Sequence, residues 1–221
     1  MDLPKIGFGG QRERNKLEKL QRIKQAARQL FIDKGFDETT TREIALEAGV
    51  GVGTVFTYAE NKRDLLFLVA NDELEEITDK AQRRVSSKLS CLRNLINVFG
   101  LHYEFYGRQP VLSRMMLREM TFYDSGRQAG RFQQTRERNI QIVGRIVADA
   151  IEEGALSTKE RAEFVGWVLF CIFQVELRRW LMAGEPMAAG IRQLERALRL
   201  FLNGLGPSPA AFTRALRGAR K

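Results

Sequence analysis

The chain has 221 residues, with 36 Lys+Arg against 27 Asp+Glu and one His, for a net charge of +9. At 44% hydrophobic and 29% charged, it is neither a disordered nor a membrane-dominated chain, and it is long enough to bury a real core in one or two domains. The longest apolar stretch, 165–173, falls far short of the roughly 18 residues that span a bilayer. The opening MDLPKIGFGG has no apolar signal-peptide core, so a cytoplasmic protein without a membrane partner is expected. Cys91 and Cys171 make no disulfide framework. Two Cys and one His supply too few ligands for zinc, and no metal or other cofactor is expected. The basic balance points to an anionic partner such as nucleic acid.

Period two is nowhere convincing, while period 3.6 recurs along the whole chain, so the fold is predicted to be all-α. Residues 1–15, with Gly7, Gly9 and Gly10, read as a flexible basic arm. A helix over 15–34 follows, with Leu20, Ile23, Ala27, Leu30 and Phe31 on one face, and Gly35 ends it. Thr40 with Glu43 three residues on reads as a capping box that opens a short helix running to Ala48. Gly49 breaks the chain, a second short helix covers 51–58, and Asn61 caps a longer helix reaching about 82. Beyond residue 85, amphipathic helices are predicted near 88–107, 110–123, 129–153, 158–183 and 187–204. Residues 124–130 form a loop between two of them. Residues 206–221 read as a basic, mostly disordered tail. The chain then divides into the arm 1–15, a unit of short helices over 16–62 with a connecting helix to about 82, a larger helical domain 83–205 and the tail.

The two short helices are each too short to stand alone in water. They must pack on their longer neighbours through Ile44, Ala45, Ala48, Val50, Val55 and Phe56. This is helix-turn-helix geometry, with the second helix free to enter a major groove. From RIKQAARQLFIDKGFDETT through GVGVGTVFTYAENKRDLL, the chain resembles the DNA-binding domain of the TetR family of bacterial transcriptional regulators. The resemblance implies a homodimer on a near-palindromic DNA operator, usually a repressor, released by a small molecule in the C-terminal domain. It is not an enzyme family.

Carried over position by position, the family pattern puts Thr40 and Thr41 at the start of the second helix, where hydroxyls and free N–H groups can meet a phosphate. Arg42 follows, within reach of a guanine edge or a phosphate. Gly51, Val52 and Thr54 are the exposed start of the recognition helix, and Tyr58 and Lys62 match phosphate-contact positions. Phe56 stands where many members have Tyr, and its ring is expected in the core. Ala59 replaces a frequent aromatic. Gly51-Val52-Gly53 offers the bases almost no hydrogen-bonding group, so direct readout rests on Val52 against a thymine methyl and on Arg42. DNA shape is expected to supply part of the specificity. Residues 5–34 carry nine Lys/Arg against three acids. Lys5, Arg12 and Arg14 are candidates for contact with the DNA backbone or minor groove.

The Gly49-Val50-Gly51-Val52-Gly53 run lacks the preceding strand and the spacing of a dinucleotide loop, and lacks the Lys-Ser/Thr pair of a P-loop. His102 has no nucleophile or carboxylate that the sequence can place beside it, so a pocket or core role is expected. Cys91 and Cys171 read as small buried hydrophobes, with a redox sensor as the other possibility. Phe99, His102, Tyr103, Met115, Met116, Met120, Phe122, Trp167, Phe170 and Gln174 are candidates for lining a pocket for a hydrophobic or amphipathic effector. Glu176 is a second polar candidate on the same helix. The helices near 158–183 and 187–204 are expected to pair across a two-fold axis through Phe164, Val168, Ile172, Leu194, Leu198 and Phe201. Two rival readings are a helical small-molecule-binding protein or enzyme with a vestigial DNA motif, and a DNA-binding architectural protein without a ligand.

Overall fold

The computed structural model describes residues 8–204, and these are helical with no strand among them. Lys5 and the tail 206–221 lie outside the described residues. Nine α-helices follow one another: α1 Phe8–Lys34, α2 Thr41–Glu47, α3 Val52–Phe56, α4 Lys62–Arg84, α5 Cys91–Arg108, α6 Pro110–Glu119, α7 Ala129–Glu152, α8 Ala162–Ala183 and α9 Met187–Asn203. A 3-10 turn at Met120–Phe122 links α6 to the loop before α7.

The first helix begins earlier than the sequence implied. Residues 8–15 belong to α1 rather than to a flexible arm. The two glycines fall in the first turn, where little helical hydrogen bonding is at stake. The Gln, Arg, Glu and Lys that follow are good helix formers. The start of α8 moves the other way, from 158 to Ala162. There the Thr158 hydroxyl accepts from the Glu160 N–H at 3.0 Å, a turn that holds the chain out of the helical register.

Ile23, Ala27 and Phe31 of α1, Ile44 and Ala45 of α2, Val55 of α3 and Leu65 and Leu66 of α4 close one small core. Phe56 is not part of it. Its ring is 43% exposed, while Ala59 is buried on the inner side. Successive helical residues point about 100° apart, so with Val55 inward Phe56 must turn out. The acids of α4 face cations on both flanks. Lys24 and Arg28 of α1 pair with Asp72 and Glu73, and Arg131 of α7 reaches Asp72 at 2.9 Å and Glu75 at 2.7 Å.

In the larger helical body, α7 and α8 approach through glycine. A Cβ on Gly166 would fall 2.6 Å from the Gly144 Cα, backbone against backbone. A side chain there must push the two helices apart. Gly166→Ala is therefore expected to destabilise the protein by about 1–3 kcal/mol. Gly100→Ala, in a helix with nothing within 4 Å of the new Cβ, is expected to stabilise by roughly 0.5–1 kcal/mol. Urea unfolding of the two variants checks both signs.

Candidate DNA interface and effector cavity

The start of α2 is built by a reciprocal cap. The Thr40 hydroxyl accepts from the Glu43 N–H at 3.2 Å, and the Glu43 carboxylate accepts from the Thr40 N–H at 2.9 Å. Lys34 also holds that carboxylate. The Thr40 side chain is thus engaged within the protein. Thr41 is half-buried beside it, and Arg42 is exposed with no ion-pair partner among the described residues. Gly49 makes the turn at φ +60°, a conformation that favours glycine, and the Val50 N–H closes it on the Ala45 carbonyl at 3.0 Å. Gly51 then opens α3, exposed, with Val52 and Thr54 half-buried behind it.

Tyr58 and Lys62 are both tied back to the scaffold. The Tyr58 hydroxyl donates to the Lys16 carbonyl at 3.2 Å. A phosphate contact by that proton needs the side chain to swing. The Lys62 ammonium donates to the Asp37 carbonyl at 2.8 Å and lies 4.7 Å from the centre of the Phe36 ring. Arg12, Arg14, Lys16 and Lys19 of α1 are exposed near this end.

In the helical body, a cavity of about 370 Å³ lies among α4, α5, α7, α8 and the Met120–Phe122 turn. Of the expected pocket residues it takes His102, Met120, Phe170 and Gln174. Phe99, Tyr103 and Met116 do not line it. Phe99 stacks on Phe173 at 4.4 Å, Tyr103 packs on Trp180 at 4.8 Å, and both are core, as is Met116. Nor does Trp167, which is 46% exposed and stacked on Phe164 at the surface. Met115 and Phe122 are also absent from the wall, and Phe122 is 82% exposed.

The wall includes polar residues that periodicity did not single out: Gln133, Arg136, Asn139 and Arg178. The Asn139 amide donates to Thr78 Oγ1 at 2.7 Å and to the Thr135 carbonyl at 3.0 Å, while its Oδ1 has no partner among the described residues. The His102 Nδ1 donates to the Val98 carbonyl at 3.1 Å, and burial pushes the ring's pKa down, toward the neutral form. Arg136 lies 5.9 Å from the Phe170 ring, and neither it nor Arg178 has a carboxylate partner among the described residues. Burial pushes the Cys91 thiol up to about 11 and raises Cys171 also, which disfavours the thiolate a redox sensor needs.

The α8–α9 face is apolar and open. Phe164, Trp167, Val175, Leu200 and Phe201 are exposed, and Val168, Ile172 and Phe201 line a shallow groove of about 690 Å³. Leu194 and Leu198 do not reach it. Both are fully buried, on the side of α9 turned to the protomer's own core.

The sequence also missed the junction between the two parts. Asp64, in the first turn of α4, is fully buried. Its carboxylate accepts the Glu60 N–H at 2.8 Å, the Arg127 N–H at 2.9 Å, the Gln128 N–H at 2.8 Å and the Tyr123 hydroxyl. The same loop reaches the recognition helix. Arg127 Nε donates to the Phe56 carbonyl at 3.2 Å, and Gln128 Nε2 to the Tyr58 carbonyl at 3.0 Å. Arg118 adds a two-pronged pair with Asp37, at 2.9 and 3.0 Å.

A helix-turn-helix unit with an exposed second helix, fixed to a larger helical body with its own cavity, defines a DNA-binding regulator. Residues 23–69 match the model of the bacterial regulatory proteins of the tetR family. The repressor KstR of Mycolicibacterium smegmatis is 26% identical over 200 residues, 89% of this chain and 91% of KstR. The fatty acid metabolism regulator protein of Bacillus subtilis is 24% identical over 90 residues, a stretch that spans 46% of that protein. Among solved structures, FadR of Thermus thermophilus, a repressor in complex with lauroyl-CoA, superposes with a TM-score of 0.65 at 26% identity, over 86% of this chain and 97% of that one. FadR of Bacillus subtilis, in complex with stearoyl-CoA, shares the fold with a TM-score of 0.63 at 17% identity, over 80% and 96%. Residues 23–69 thus match a TetR-family DNA-binding domain, and the chain as a whole is similar to transcriptional regulators of that family rather than to an enzyme. No described helix is long and apolar enough to cross a membrane.

The capping box carries a pH signature. Lys34 first, then the Thr40 N–H and hydroxyl, hold the Glu43 pKa down at about 2, from an ordinary 4.5. A carboxylate with a depressed native pKa contributes stability above its unfolded value and loses it as pH falls through the native one. The Glu43→Gln variant is expected to be less stable than the parent at pH 6. The gap should close as pH drops from 4.5 toward about 2. Urea unfolding followed by circular dichroism at successive pH values measures the gap.

Proposed function

We propose that the protein is a cytoplasmic, ligand-released homodimeric repressor of a near-palindromic operator. The carrying observation is the exposed helix-turn-helix end, with unpaired Arg42 and the basic start of α1, joined through one loop to a polar-walled cavity. Arg42, Gly51, Val52 and Thr54 face the groove, and Thr40, Thr41, Tyr58 and Lys62 stand at its phosphate rim. Two copies pair through the exposed α8–α9 face, around Phe164, Val168, Ile172 and Phe201. The dimer sets its recognition helices about 34–36 Å apart, one turn of B-DNA. We take 16–62 as the DNA-binding domain and 83–205 as the effector and dimer domain, with α4 between them.

The effector we propose is an anionic amphiphile of the fatty acyl-CoA class. Met120, Phe132 and Phe170 offer apolar wall, and Arg136 and Arg178 offer two guanidinium groups without acidic partners. Such cations at a cavity favour a ligand with a phosphate or carboxylate. The acyl-CoA complexes of the two FadR proteins support the same class. Their ligands combine an apolar chain with a phosphorylated head.

Fluorescence anisotropy on duplexes from the DNA upstream of the coding region tests this reading, with and without lauroyl-CoA and stearoyl-CoA. Binding to one duplex that either thioester releases is the expected outcome; indifference to both removes the proposed effector class. Arg42→Ala is expected to weaken that duplex by about 1–3 kcal/mol relative to random DNA. If Arg42→Ala and Val52→Ala leave the preference unchanged, direct readout by these residues is excluded. Removing both Arg12 and Arg14 should lower affinity on every sequence and flatten its salt dependence. Arg136→Ala is expected to weaken acyl-CoA binding by about 1.5–3 kcal/mol in calorimetry, with operator affinity unchanged.

A further inference from the structure

We propose that Asp64 is the positioning residue through which the cavity sets the recognition helix. The proposal rests on the cavity being the effector site, but not on which ligand fills it.

A fully buried carboxylate is costly to hold, and apolar packing often stabilises as well. Asp64 is nonetheless satisfied by four donors, three of them backbone N–H groups. The donors come from two sides. Glu60 lies two residues beyond Tyr58, and Tyr123, Arg127 and Gln128 belong to the segment between α6 and α7. That segment also holds the end of α3, through the Arg127 bond to the Phe56 carbonyl and the Gln128 bond to the Tyr58 carbonyl.

The other end of the chain of bonds is in the cavity wall. Gln133, which lines the cavity, donates from Nε2 to the Tyr123 carbonyl at 2.6 Å. Met120 and Thr121, three and two residues before Tyr123, line it too. The Tyr123 ring stacks on Phe67 of α4 at 4.0 Å, with its hydroxyl on Asp64. A path of direct contacts thus runs from Gln133 through Tyr123 and Asp64 to Glu60.

The seat admits little compromise. Gly126 has φ +121°, and a Cβ there would lie 2.6 Å from Asp64 Oδ1. The loop is either docked on the carboxylate or away from it, the kind of discrete alternative that amplifies a small shift. A ligand that engages Gln133 or displaces Met120 and Thr121 withdraws Tyr123. The carboxylate then loses a donor in a buried site and must shift, taking with it the anchors of Phe56 and Tyr58. The recognition helix leaves its operator-binding position.

Hydrogen exchange of residues 51–60 in the full-length protein, without DNA or ligand, tests the relay in Gln133→Ala, Tyr123→Phe and their double variant. Tyr123→Phe keeps the ring stack and removes only the hydroxyl. Asp64→Asn is the stronger variant, since any amide orientation sets an NH2 against a backbone N–H. Should it fail to fold, Tyr123→Phe carries the test. Each single substitution is expected to speed exchange over 51–60 at least about fivefold, the lower range of inter-site coupling. The double variant is expected to be no faster than the faster single, because both cut one path. The relay is overturned if Gln133→Ala leaves 51–60 unchanged, or if the two effects multiply as for independent sites. Failure of lauroyl-CoA and stearoyl-CoA to bind overturns the effector class alone, and the exchange data still decide the relay.

Discussion

Asp64 occupies the first turn of α4, where Asn61 caps its own N–H at 2.9 Å and its side chain receives donors from both parts of the molecule. The placement of α3 depends on this junction. A helix of five residues has no stability of its own, since nucleating one already costs more than so few hydrogen bonds return. Its position is set by what it touches: Val55 in the core below, the Gly49 turn before it, and the Arg127 and Gln128 side chains on its closing carbonyls. Two of those three supports are local in sequence. The third comes from a loop about 70 residues away.

The distribution of charge takes a different meaning in three dimensions. Residues 37–76 hold ten acids and three bases, an unpromising balance for a DNA-binding segment. Most of those acids are engaged within the protein. Asp72, Glu73 and Glu75 sit on α4 between the cations of α1 and α7, Glu43 and Asp37 serve the cap and the Arg118 pair, and Asp64 is buried. Exposed ion pairs add little stability, on the order of 0–1 kcal/mol each. Their effect here is to orient α1 and α7 on α4 and to neutralise negative charge beside the binding surface. Among the cations left without acidic partners are those of the outer half of α1, Arg42 at the start of α2, and Arg136 and Arg178 in the cavity wall.

The DNA-binding half was legible because its signals are local. The Thr40–Glu43 cap, the Gly35 and Gly49 turns and the Asn61 cap each act within five residues. The exception there, Phe56, faces out because its neighbour Val55 takes the inward position on so short a helix. The helical body was legible as helices but not as a site. Periodicity says that Leu194, Leu198 and Phe201 share one side of α9, yet the first two close on the protomer and the third is 38% exposed. Which side meets the core depends on α5 and α8, which no spacing within α9 encodes. Arg136 and Arg178 were invisible for the same reason, since an Arg on an amphipathic helix ordinarily marks its solvent face. Asp64 reads in sequence as a first-turn acid favoured by the helix dipole. Only the arrival of a loop from residues 123–128 makes it the centre of a buried cluster.

The cavity and the proposed dimer face share residues, and this constrains how a ligand could act. Cys171 and Val175 of α8 line both the cavity and the apolar groove between α8 and α9. In a dimer joined there, α8 is fixed on its outer side by the partner copy. A ligand entering the cavity then meets unequal resistance. The α8 wall is backed by a packed interface and, through Gly166, by close contact with α7. The opposite wall is the Met120–Phe122 turn, a single turn of 3-10 helix with none of its three residues buried. Packed interiors resist deformation, and short exposed turns yield. Displacement is therefore directed toward that turn and the loop after it, the same loop whose N–H groups and side chains hold Asp64, Phe56 and Tyr58.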